Sequence, residues 1–288
     1  MTNSATQLSM DLFSASPAIP AWCSTLVSLI DRLDDLSQLT WPSVIPWACP
    51  VPFFGDPHAA VVATLGLNPS NREFLDEGGR ELQGQSRRFP TLHSLGLKTW
   101  GDLDAQHLRA IVSSCRSYFW GRPYLTWFNR MNDVLAGANA SYFGLIATAC
   151  HLDLIPYATA RKWNQVGSFE RAQLLADSGR AFGQILQSSS VRLLILNGAS
   201  VVSALESVLD LRLERQEVQA WTLRRKSKYG VLGIAYSGYI RSVSGVQLER
   251  EIQVLGFNHN LQSSFGVKRE VVLAIAGWIA DAVRVTEP

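Results

Sequence analysis

Charge and cysteine are both scarce in this chain. Only 17% of its 288 residues are Asp, Glu, Lys or Arg, against 47% hydrophobic. A chain this apolar buries a core, and disorder is excluded. The net charge of +2 is too mild to establish nucleic-acid binding by itself, although a basic face fits inside a nearly neutral total. The four cysteines, Cys23, Cys49, Cys115 and Cys150, form no Cys-x-x-Cys pair, and no His stands at zinc-finger spacing. Buried thiols in a reducing cytoplasm are expected, with no metal and no cofactor. Met1 to Phe13 lacks a basic stretch followed by an apolar run, so no signal peptide is expected. The most apolar helix candidate, Val271–Val283, is broken by Asp281 and too short for a bilayer. Internal repeats and low-complexity tracts are absent.

Residues 1–56 read as an N-terminal extension. Ser24–Leu39 carries Leu26, Leu29, Ile30, Leu33 and Leu36 at helical spacing. The following stretch, 41–57, is too rich in proline for regular helix. From residue 57 to 288 a second pattern takes over. Short apolar runs occur at Ala60–Gly66, Phe143–Ala149, Val191–Leu196, Val231–Tyr236 and Ile252–Phe257. Helical patterns lie between them at Leu103–Ser114, Trp127–Leu135, Phe169–Gln187 and Ser200–Leu209, with a last one at Lys268–Val283. Val218–Arg224 reads as one more strand, hairpinned with Val231–Tyr236. Such alternation predicts an α/β fold, a three-layer α/β/α sandwich around a short, mostly parallel sheet.

Ligands of such sheets bind beyond the carboxyl ends of the strands. Three strand ends are unusual. Gly66-Leu67-Asn68-Pro69-Ser70 stops its strand at a proline and presents an Asn amide. Its plain alternative is a strand-to-helix turn capped by Ser70. His151-Leu152-Asp153-Leu154-Ile155-Pro156 sets two polar residues at the mouth of a buried run; a cap by Asp153 and a satisfied His151 are the alternative. Asn258-His259-Asn260-Leu261-Gln262 follows the last strand, with a surface loop as the alternative.

The order of these loops resembles the uracil-DNA glycosylase superfamily over residues 57–284. Gly66-Leu67-Asn68-Pro69-Ser70 is similar to its Asn-type first motif, as in the mismatch-specific and single-strand-selective branches. His259-Asn260-Leu261 departs from the His-Pro-Ser that usually opens the last motif, so Asn258 stays open beside His259. The resemblance implies a monofunctional glycosylase that flips a base, cleaves its glycosidic bond and leaves an abasic site. It implies that Asn68 orients the attacking water and that His259 supports the leaving base. Phe89 is the candidate to stack on the flipped base, with Phe74 the alternative and a buried core ring the plain reading, and Leu261 or Gln262 is the candidate to fill the gap in the duplex. None of the three loops contains a lysine, so a Schiff-base step is not indicated.

Asp153 is the informative departure. It falls where the single-strand-selective branch reads the base with an Asn. An ionised Asp only accepts hydrogen bonds, which suits the N4 amino group of cytosine and not O4 of uracil. Strict uracil enzymes block C5 with a Tyr where this chain has Ser70. With His151 beside Asp153, the implied substrate is a C5-modified cytosine such as the glucosylated hydroxymethylcytosine of phage DNA. That implies an antiviral, cytoplasmic enzyme, monomeric, with DNA as its partner.

Candidate phosphate contacts are Arg87, Arg88, Arg161, Lys162 and the run Arg224, Arg225, Lys226 and Lys228, each of which also fits a solvated face. Rival readings are a uracil or thymine mismatch enzyme, a catalytically inactive DNA or nucleotide binder, and a hydrolase using Ser70 or Ser264. The last lacks a Gly-x-Ser-x-Gly elbow.

Overall fold

The computed structural model describes residues 22–36, 41–121, 123–144, 147–209, 211–224, 230–262 and 266–284. Helix α1 (Trp22–Leu36) is followed by the short strands β1 (Phe53–Phe54) and β2 (Val62–Gly66). Then come α2 (Leu92–Leu95), α3 (Ala105–Arg116), α4 (Leu125–Leu135) and β3 (Ala149–Asp153). Next are α5 (Ser168–Ser188), β4 (Leu193–Asn197) and α6 (Ala199–Val208). The chain closes with β5 (Glu214–Leu223), β6 (Val231–Val243), β7 (Val246–Phe257) and α7 (Arg269–Arg284).

The seven strands form one sheet in the order β1-β3-β2-β4-β7-β6-β5. β3, β2, β4 and β7 run parallel, and β1, β6 and β5 join antiparallel at the two sides. The α/β class is as the sequence predicts. Every residue of β2, β3 and β4 is buried, as expected for parallel strands covered on both faces. α5 packs along β6 and β7, while Gln253 of β7 reaches the Ala282 carbonyl of α7 from the other face. β2 leads to β3 on one side, and β4 returns on the other. The switch point of the topology lies beside β2, whose carboxyl end is flanked by those of β3 and β4.

Several strands differ from expectation, β5 starting at Glu214 and not at Val218. The third lies at Ala149–Asp153, not at Phe143–Ala149. The residues before it close a loop instead: Ser141 O accepts from both Thr148 N and Ala149 N, each at 3.1 Å. His151 and Asp153 therefore sit within a strand and not beyond its end. β6 and β7 are also far longer than their apolar runs. They make a hairpin whose two central residues, Ser244 (φ 46°) and Gly245 (φ 77°), both adopt the left-handed conformation, as a type I′ turn requires. With β5 this hairpin forms an antiparallel wing beside the parallel core.

Residues 41–56 join the same sheet and core. Trp41, Val51 and Phe53 belong to one apolar cluster with Leu26 of α1, Leu194 of β4 and Ile279 of α7. Ser43 N and Oγ each donate to the buried Glu170 carboxylate at 2.9 Å. Cys49, Cys115 and Cys150 are buried free thiols, and burial pushes each thiol up. No helix among the described residues is long and apolar enough to cross a membrane.

Candidate active site

Gly66 ends β2, Asp153 ends β3, and the two are register partners. Any side chain at Gly66 would collide with the Asp153 carboxylate, and its Cβ would stand 2.8 Å from His151 Nε2. The glycine that opens the Asn-Pro turn is thus demanded by the neighbouring strand. It joins the first two unusual strand ends into one site.

Behind this point runs a buried polar chain. Tyr142 Oη is hydrogen-bonded to Thr64 Oγ1, which lies 2.7 Å from His151 Nδ1. His151 Nε2 in turn lies 3.5 Å from Asp153 Oδ1. The register allows this, because Thr64 and His151 are direct partners and alternate strand residues share a face. Phe54, Trp127 and Phe128 surround the imidazole at ring separations of 5.4, 4.7 and 5.4 Å. In this apolar setting burial raises the Asp153 carboxyl above the usual carboxylate range, opposed by the hydrogen bond and charge of His151. Burial likewise pushes the Tyr142 phenol up. The sequence reading takes Asp153 as ionised; burial shifts it toward the neutral acid.

Asn68 is half-buried on the turn after β2. Its Nδ2 donates to Pro69 O at 3.1 Å, Tyr157 O at 3.3 Å and Thr159 Oγ1 at 3.0 Å. Thr159 Oγ1 passes its own proton to Arg161 O at 2.7 Å. The amide nitrogen is held on three sides, so Oδ1 faces away from these partners as an acceptor of fixed direction. Ser70 is exposed and caps the turn Asn71–Glu73 by accepting from Arg72 N at 3.2 Å. The plain reading of Ser70 as a cap holds, and it leaves the rim small at this position.

The third loop differs from expectation. His259 is buried, and its Nε2 lies 2.6 Å from Trp221 O on β5. That nitrogen must carry the proton, since a carbonyl only accepts. Burial lowers the His259 pKa, with the bond to Trp221 opposing, so the neutral ring is favoured. Its committed N–H is not aimed at a leaving base. Asn258 is equally engaged, accepting from Ile234 N at 2.9 Å and donating to Leu232 O at 2.8 Å. Both side chains tie the wing to the core. Leu261 is fully buried, with its N–H on Asn197 Oδ1 at 3.1 Å and its carbonyl held by Arg130. To fill a gap in a duplex it would have to leave that seat. Gln262 is half-buried and bridges Asn197 Nδ2 at 2.5 Å to Trp127 O at 3.2 Å.

Phe89 is also differently placed. Its ring is buried, stacks on Tyr118 at 5.3 Å and meets Phe54 edge-on at 5.4 Å. Phe74, the alternative, lies 5.8 Å from it in the same cluster. These rings are occupied with one another. Trp127, not singled out by the sequence, is the half-buried aromatic beside His151.

Two more residues escape sequence reasoning. Asn197 ends β4 and holds the 261–262 segment through both its amide atoms. Glu73, one turn past Asn68, is a buried carboxylate that accepts from Tyr118 Oη at 2.9 and 3.0 Å. Burial pushes its pKa up to about 7, with Arg88 and Tyr118 pulling it down and the Asp153 charge adding to the rise. A Glu in a polar run such as Asn71-Arg72-Glu73 reads as surface, and only the ring cluster beneath it reveals otherwise.

The candidate cations divide. Arg88 turns inward, with Nε 3.8 Å from Glu73 and Nη1 on Arg72 O. Arg87 is half-buried, and its Nε is buried without a hydrogen-bond partner. Arg161 and Lys162 are exposed on the segment that holds Asn68. Arg224 is exposed, while Arg225, Lys226 and Lys228, like Ser264, lie outside the described residues. Among the described residues no cluster of His, Cys, Asp and Glu could hold a metal ion. No family model matches this chain, and no curated protein matches it.

Proposed function

We propose that the protein is a monofunctional DNA glycosylase that hydrolyses the N-glycosidic bond of a flipped, C5-modified cytosine. The observation that carries this reading is the packing of Gly66, which opens the Asn68 turn, against Asp153 at the carboxyl ends of adjacent parallel strands. Asn68 supplies a fixed acceptor for a water, Asp153 a group that reads a base edge. Asn68 Oδ1 orients water toward C1′ of the sugar, and the buried, dry surroundings strengthen each polar contact made there.

Cytosine suits Asp153 in both protonation states. The ionised form accepts from N4–H, and the neutral form does so while donating to N3. Uracil suits only the neutral form, because a carboxylate facing O4 leaves a buried mismatch of about 1–3 kcal/mol. The small rim at Ser70 supports tolerance of a C5 substituent. Exposed Arg161 and Lys162 supply phosphate contacts beside Asn68. Action on phage DNA in the cytoplasm, by a monomer without a cofactor, completes the proposal.

Duplexes carrying uracil, cytosine, hydroxymethylcytosine or its glucoside should be scored for abasic sites. Release of the modified cytosines is expected. Release of uracil alone would favour the mismatch-repair reading, which the raised Asp153 pKa supports. No abasic site with any duplex, together with intact DNA affinity, would leave an inactive binder. The variant Asn68→Ala should keep DNA affinity and lose turnover by about 10²–10³-fold.

A further inference from the structure

We infer that Asp153 is the general acid of the reaction, passing its carboxyl proton to N3 of the departing cytosine-type base, with His151 and Thr64 as positioning residues. This rests on the glycosylase reading and assigns the proton that reading leaves unassigned.

Geometry supplies the first argument. Asp153, the last residue of β3, ends the chain Tyr142, Thr64, His151, Asp153, whose members are each in contact with the next. Every member is buried, and each can both donate and accept when neutral. A chain of that kind holds one carboxyl proton in place and can reorient when it is lost. The groups that interact with Asp153 are His151 on its own strand, Tyr142 before β3 and Glu73 on the turn after β2, with Arg88 beyond Glu73. Arg88 is spent on Glu73 and the Arg72 carbonyl. The other acidic groups are committed elsewhere. The Glu73 carboxyl is held by Tyr118 and Arg88, Tyr118 donates to Glu73, and His259 donates to Trp221.

Chemistry supplies the second. When N1–C1′ breaks, the bonding pair stays on N1. Uracil leaves acceptably as an anion, because its two carbonyls carry the charge. Cytosine has one carbonyl and a basic N3, so it leaves well only if N3 is protonated. The water oxygen bonds to C1′ as the N1–C1′ bond opens. The Asp153 O–H proton moves to N3, and the base departs neutral. The proton shed by the water goes to solvent, and one from solvent restores Asp153. The sum is one water consumed per base.

The test uses the whole protein and single-turnover release from duplexes with hydroxymethylcytosine, with its 3-deaza analogue, and with uracil. The 3-deaza base has C–H in place of N3 and accepts no proton. We expect at least a 100-fold slower release of the 3-deaza base at unchanged DNA affinity, within the usual range of about 10²–10⁴ for proton transfer by a positioned group. The wild-type rate on hydroxymethylcytosine should fall tenfold per pH unit on the alkaline side. Asp153→Asn should flatten that profile and lose the same 100-fold, while uracil release does not fall. Melting of the variant establishes that it folds, and the 3-deaza duplex keeps the test decisive if it does not. Equal release of the 3-deaza base, or equal loss on both bases in Asp153→Asn, overturns the inference alone. No release from any duplex overturns the glycosylase reading, and the inference with it.

Discussion

Two histidines occupy comparable places and behave differently. His151 lies in β3 and His259 just beyond β7, and their exposures are 3% and 4%, so burial does not separate them. Their partners do. His151 Nδ1 meets the Thr64 hydroxyl, which can give or take a proton, and its other nitrogen faces the Asp153 carboxyl. His259 meets a backbone carbonyl, which only accepts. The first ring joins a chain of groups that both donate and accept; the second is a strut between the wing and the parallel core. A histidine near a strand end is therefore classified by the chemistry of its partner, not by its depth.

The sharpest way to break this comparison is by paired substitution. His151→Leu should slow base release by about 10²–10³-fold and move the alkaline fall in rate to higher pH, because the hydrogen bond and charge that lower the Asp153 pKa are lost. His259→Asn should leave release within about tenfold. If His259→Asn abolishes turnover at an unchanged melting temperature, the assignment is reversed.

Glu73 tests whether the dry aromatic region is a site built at the expense of stability. Its pKa is about 7 when folded, against an ordinary value of 4.5. The folded state holds this proton where the unfolded state has released it. Stability therefore falls as pH rises from about 4.5 to 7, and the full cost above pH 7 is about 3 kcal/mol. Glu73→Gln keeps an acceptor for Tyr118 and should raise the melting temperature at pH 8 while changing little near pH 4.5. A gain that is equal at both values would exclude charge burial as the cause.

A smaller effect is expected on the wing. His259→Ala orphans the Trp221 carbonyl and should cost about 1–3 kcal/mol in denaturant unfolding. Smallest are the rim cations. Arg161→Ala and Lys162→Ala should each lower the slope of log K against log salt by about 1, uniformly across DNA sequences, with stability changed by less than about 0.5 kcal/mol. A sequence-dependent loss would mean that one of them reads bases.

Much of the frame is legible in the chain. The apolar runs of β2 and β4 and the patterns of α5, α6 and α7 fall within one or two residues of their observed bounds, because full burial on both faces leaves no polar interruptions in those strands. β3 is offset because polar side chains lie inside it. A strand reads as apolar only when its neighbours offer nothing to bond, and here Thr64 and Tyr142 do. The Ser244-Gly245 turn is a local signal for the long hairpin. The strands flanking it carry charged residues such as Arg241, Glu249 and Glu251 on an exposed face, which hides their length.

Local chemistry in the sequence determined that a Gly-x-Asn-Pro turn ends a buried strand and that polar residues gather at the ends of others. Those features depend on neighbours along the chain, where proline and glycine act directly on the backbone. Partnership was decided only by the tertiary structure. Register set Gly66 against Asp153, the wing engaged His259 and Asn258, and the ring cluster buried Glu73 and Phe89. Burial and hydrogen-bond partners set the charge of a carboxyl or the use of a ring nitrogen, and both come from residues distant in sequence.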